Sequence, residues 1–167
     1  MSSEINTLPE SICAQIDAWI AKFPEGKKKS AVLMALRSVQ DSFGYLDKVN
    51  MNLVANYLDL PYVAVYEVAS FYSMYRFAPV GENHIKVCNS ISCNLCGSTQ
   101  LIQTLEQKLG IKVGETTPDN QFSLGYAECL AACTQAPALI VNDTDYHGDM
   151  TEDKVDLLLK QYAQEEK

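Results

Sequence analysis

Apolar positions recur at helical spacing through the first half of the chain and switch to strand-like alternation in the second. Ile12, Ile16, Trp19, Ile20 and Phe23 mark one face of a first helix, which Pro24 and Gly26 bring to a stop. Ser30 is placed to cap a second helix with the stripe Val32, Leu36, Val39 and Phe43, and Gly44 falls just past its end. Asn50 or Asn52 opens a short third helix carrying Leu53, Val54, Tyr57 and Leu58. Pro61 suits the first turn of a fourth, with Val65, Val68, Tyr72 and Tyr75 on one face. Helices this short are marginal alone in water, so the pattern predicts that they pack on each other as a small bundle.

Pro79 and Gly81 interrupt the pattern between Arg76 and Asn83, and a domain boundary is expected there, with residues 1–80 before it and 81–167 after it. His84 to Val87 alternates as a strand does. Leu101, Ile102, Leu105 and Leu109 form a helical stripe that ends at Gly110, and Phe122 to Tyr126 alternates again. Ala138 to Val141 reads as a short apolar strand, and Asn142 to Asp145 as a hairpin turn into Tyr146 and His147. Thr151 is placed to cap a last helix with Val155, Leu158, Leu159 and Tyr162 facing inward. The order β-α-β-β-β-α predicts a small α/β domain with a mixed sheet, and a helical bundle in front of it makes the whole chain α+β.

Composition narrows the chemistry. The chain has 167 residues, 47% of them hydrophobic, enough for a proper core. No apolar run is long enough to span a bilayer, and the N-terminal stretch lacks the basic start and apolar middle of an export signal, so a cytoplasmic protein without direct membrane insertion is expected. A formal net charge of −8 argues against nucleic-acid binding, and the single basic run, Lys27 to Lys29, reads as a solvated loop. No glycine-rich nucleotide loop is present, so neither NADH nor flavin is expected to bind this chain alone. Neither of the two histidines pairs with a serine or cysteine in a catalytic arrangement.

The six cysteines carry the specific signal. In a reducing compartment clustered cysteines bind metal or do redox work more often than they form disulfides. Cys88 and Cys93 lie in a loop after one expected strand; Cys129 and Cys133 lie in a loop after another. Two such pairs meet if their strands sit side by side, and four thiolates, two for each iron, are what a [2Fe–2S] cluster requires. Irregular loops also aim several N–H groups at one point, and the helix expected to begin near Leu95 to Ser98 brings a positive end close to Cys93. Cys96 leaves a second ligand set open, Cys88, Cys93, Cys96 and Cys129, which has plant-type ferredoxin spacing. The two-pair set is favoured because the plant-type one leaves Cys133 unused and Cys96 falls where the helical stripe begins. Structural zinc on the same four thiols, or a dithiol enzyme using Cys93 and Cys96, are the rival chemistries. Cys13 reads as a small apolar residue of the first helix. The aromatic run Phe71, Tyr72, Tyr75 and Phe77 is either core or a partner surface.

The segments CNSISC and ECLAAC, with Ala136–Pro137 close behind, resemble the thioredoxin-like [2Fe–2S] ferredoxins. Val68 to Tyr72 and Ala78 to Gly81, after a helical segment, look like the family of E subunits of NADH:quinone oxidoreductase, respiratory complex I. The resemblance runs from about Ile12 to Tyr162. It implies a short helical bundle joined to a thioredoxin-like domain, with a [2Fe–2S] cluster on Cys88, Cys93, Cys129 and Cys133. It further implies one-electron transfer or storage beside the flavin mononucleotide of a neighbouring flavin- and NADH-binding subunit, with a large iron–sulfur subunit adjacent. Related subunits occur in NAD-linked formate dehydrogenases and NAD-reducing hydrogenases. Cys96 departs from the family pattern. The net negative charge is expected to push the cluster's reduction potential down.

Overall fold

The computed structural model describes residues 7–164; residues 1–6, part of the stretch read for an export signal, lie outside them. The chain divides into two compact units, the first ending at Pro79 and the second beginning at Val80.

The first unit is four helices, α1 (Glu10–Ile20), α2 (Val32–Phe43), α3 (Lys48–Leu58) and α4 (Tyr62–Phe71). Ile12 and Ile16 of α1, Leu36 and Val39 of α2, Val54 and Leu58 of α3 and Val65 of α4 meet in one core. The start of α2 differs from the sequence reading. Ser30 sits inside a 3-10 turn, Lys28–Ala31, and makes no side-chain cap. Helix α3 also starts earlier than expected. Its cap is Asp47, whose carboxylate accepts from the Asn50 N–H at 2.7 Å, so Asn50 and Asn52 are helical residues. Pro61 is the residue before α4 rather than part of its first turn, and the helix ends at Phe71, leaving Tyr72 and Tyr75 at the two ends of a turn beyond it, the Tyr75 N–H donating to the Tyr72 carbonyl at 3.1 Å. Gln40, buried in α2, holds that segment by donating to the Met74 carbonyl (3.0 Å) and accepting from the Arg76 N–H (2.7 Å).

The second unit contains β1 (Asn83–Cys88), α5 (Ile91–Leu95), α6 (Ser98–Leu109), β2 (Phe122–Ala127), β3 (Leu139–Val141), β4 (Asp145–His147) and α7 (Glu152–Gln164). The sheet runs β2-β1-β3-β4. β1 pairs with β2 in parallel, Asn83 opposite Phe122 and Cys88 opposite Ala127, and the β1–β3 and β3–β4 pairs are antiparallel. Alternation decides which face is buried. Ile85, Val87, Leu124, Leu139 and Val141 join Leu101 and Leu105 of α6 and Val155 and Leu158 of α7 in a second core. Asn142 and Asp143 both take the left-handed conformation in the turn between β3 and β4. Gly81 lies where the chain enters β1, and a Cβ there would stand 2.9 Å from the Asn120 carbonyl oxygen, so only glycine lets the two backbones approach. Helix α5 was not expected from the sequence.

Candidate metal centre

Parallel pairing puts the carboxyl ends of β1 and β2 at the same edge of the sheet. Cys88 is the last residue of β1, and Glu128 and Cys129 directly follow β2, so the two cysteine loops leave the sheet side by side. The pairing continues past the strands, where the Asn89 N–H donates to the Ala127 carbonyl at 2.8 Å. The Cys88 thiol donates to the Glu128 carbonyl at 3.2 Å. A third strand closes the other flank, with the Cys88 N–H donating to the Ala138 carbonyl at 3.0 Å.

Cys93 does not lie in an open loop but inside α5. The five residues of α5 are set off by extended Ser90 before them and by Gly97, at φ 98°, after Cys96. This single turn points Cys93 inward, where it is buried with Cys88 and Ala138 and lined by Leu130, Ala132 and Ala136. Helix α6 begins at Ser98, within the stretch the sequence marked for its start. Cys129 and Cys133 are exposed, the latter opening a 3-10 turn that leads into the cis Ala136–Pro137 bond.

Electrostatics link the thiols. Burial pushes the Cys88 thiol up, but N–H groups of Ser90 and Leu130 and the adjoining Cys93 thiol outweigh it, and the group falls below its ordinary value. Cys93 moves the other way. Burial raises it, the Ala138 N–H offsets part of that, and the sulfurs of Cys88 and then Cys133 raise it again. The Ala131 N–H, from a residue held at φ 55°, donates to Cys129 Sγ at 3.5 Å.

The donor set fits a [2Fe–2S] group. Such a cluster divides four thiolates into pairs, and its sulfurs are stabilised by backbone N–H donors within an apolar shell. Here the thiols come in pairs, one of them buried, and N–H groups point at Cys88, Cys93 and Cys129. Among the described residues no three His, Cys, Asp or Glu side chains gather as a single-ion site. Cys96 follows α5, is exposed, and opens on a cavity of about 310 Å³ lined by Gly97, Gln100, Pro137, Met150 and Glu152. Cys13, in α1, donates weakly to the Leu8 carbonyl at 3.7 Å. The N–H donors left no mark in the sequence, because every residue type but proline supplies one.

A helical unit followed by a thioredoxin-like sheet with paired cysteines at its carboxyl edge defines a class of iron–sulfur electron carriers. The profile of the family described as thioredoxin-like [2Fe–2S] ferredoxin matches residues 16–163, and the chain belongs to that family. Its cofactor is accordingly a [2Fe–2S] cluster. The E subunit of NADH-quinone oxidoreductase from Rickettsia felis is 44% identical over 145 residues, covering 86% of each chain. The second E subunit of NADH-quinone oxidoreductase from Rhizobium meliloti is 40% identical over 153 residues, 92% of this chain and 89% of that one. Among solved structures, an air-oxidised NAD+-reducing [NiFe]-hydrogenase has the same fold at a TM-score of 0.68 and 20% identity. That match spans 79% of this chain but 23% of the longer hydrogenase chain. Among the described residues no helix is long and apolar enough to cross a membrane.

Proposed function

We propose that this chain is the [2Fe–2S] electron-transfer subunit of an NADH:quinone oxidoreductase, with Cys88, Cys93, Cys129 and Cys133 as the cluster ligands. The observation that carries the reading is the parallel β1–β2 pair, which sets two cysteine loops at one edge of the sheet. Likeness to the E subunit from Rickettsia felis across 86% of the chain supports the parent complex. A bound [2Fe–2S] group supplies a site that takes and gives one electron at a time. Cys88 and Cys93, which are buried, and Cys129 and Cys133, which are exposed, would hold it. The N–H groups of Ser90, Leu130, Ala131 and Ala138 stabilise the sulfur charge without adding a proton.

The electron source is a neighbouring subunit that carries flavin mononucleotide and binds NADH, and a large iron–sulfur subunit lies adjacent. Residues 81–167 form the electron-carrying domain. Residues 1–80 form the docking part, a role supported by exposed Val63, Tyr66, Phe71 and Phe77 on and after α4. The complex works in the cytoplasm or on the cytoplasmic face of a membrane, where six unpaired cysteines are stable.

Anaerobic purification followed by iron and acid-labile sulfide analysis tests the reading, with visible absorption and an EPR signal on reduction as further readouts. Serine at Cys88, Cys93, Cys129 or Cys133 is expected to lose the signal, and serine at Cys13 or Cys96 to keep it. A cluster that survives Cys133→Ser but not Cys96→Ser would replace this ligand set with the plant-type one. Co-purification with a hydrogenase or formate dehydrogenase, and not with a quinone-reducing complex, would reassign the parent.

A further inference from the structure

The two loops that carry the cysteines, residues 88–97 and 127–137, contain one charged side chain between them, Glu128. The sheet fixes its place. Ala127 ends β2 opposite Cys88, and Glu128 follows, one residue before Cys129. Its carbonyl oxygen lies 3.2 Å from Cys88 Sγ, so its main chain is next to one cysteine pair while its neighbour begins the other. Its carboxylate is exposed. Among the described residues it takes part in no salt bridge.

We propose that Glu128 is a potential-setting residue, holding the reduction potential of the cluster low; the inference rests on the ligand reading above. Reduction adds one electron, and so one negative charge, to a group that four thiolates already make anionic, and no bond forms or breaks. A negative charge in the ligand loop therefore raises the energy of the reduced state more than that of the oxidised one. No cation in either loop offsets it. Because the carboxylate is exposed, the effect is screened by salt, whose reach is about 8 Å at physiological ionic strength.

The test is a redox titration of the full-length, cluster-loaded protein with dithionite and mediators, read by EPR. Glu128→Gln is expected to shift the midpoint upward and Glu128→Lys to shift it further, while Glu128→Asp stays near the parent. The gap between parent and Glu128→Gln is expected to narrow as salt is raised. A purely structural role would not follow charge in this order. Should Glu128→Gln fail to hold iron, the comparison of Glu128→Asp with Glu128→Lys has the same sign and decides. Equal midpoints at low salt, with the EPR signal intact, overturn the role of Glu128 alone. A parent protein without iron, sulfide or signal overturns the ligand reading instead.

Discussion

Tyr75 shows how one side chain is sorted from its neighbours. It lies in an aromatic run in which Phe71 is 80% exposed, yet Tyr75 is 5% exposed and donates its hydroxyl to the Leu33 carbonyl at 2.6 Å. Burial pushes its phenol up to about 12, partly opposed by Arg37 and helped by Tyr72 and Asp41. The folded state thus keeps this proton to a higher pH than the unfolded chain, whose tyrosines ionise near 10. The stability it contributes is whole below about pH 10 and is lost as pH rises toward 12. Urea unfolding of Tyr75→Phe is expected to show a loss of about 1 kcal/mol at neutral pH and a weaker fall with alkaline pH than the parent. The sequence named the run but did not say which ring is core, because a helix end followed by a turn sends its side chains to different neighbours with no repeating period. The four candidate ligands were legible as two pairs after two strands. The outward turn of Cys96 was legible too, from its place at the start of the helical stripe, but the inward turn of Cys93 was not, since it is set by the single short turn of α5.

At the scale of elements, periodicity located the long helices, and the expected stops at Gly44 and Gly110 stand, but the starts of α2 and α3 do not. The stripe of α2 and its stop at Gly44 are where the pattern put them, since a repeat over several turns fixes the buried face. The start of α3 was misplaced because a cap depends on backbone angles and one hydrogen bond rather than on a repeat. Asp47 is extended, at φ −90° and ψ 178°, and its carboxylate caps the Asn50 N–H. Asp47→Ala is expected to cost about 1 kcal/mol in a thermal or urea melt, and Asp47→Ser to recover most of it. Helix α5 went unread because its five residues are too few to show a period. It nonetheless decides where Cys93 points.

For the whole molecule, the chain builds two separate cores, one of helices alone and one of helices against a sheet. Leu36 lies fully buried in the first and Leu105 in the second. Truncation to alanine is expected to cost about 2–5 kcal/mol in either case. Melts followed by far-ultraviolet dichroism and by the visible absorption of the cluster are expected to tell them apart. Leu105→Ala should lower the temperature at which the visible band is lost, and Leu36→Ala should lower the helical transition while leaving that band in place. Reading the amino acids in order was enough to establish the longer helices, the strand-forming stretches and the inventory of thiols, because each is written in neighbouring residues. Which loops meet was decided by the tertiary structure. Cys88 and Cys129 become neighbours through the parallel pairing of β1 with β2, a contact between residues far apart in sequence. Such a contact depends on closing a long loop and on the packing of α6 beneath the sheet, and no local pattern encodes either.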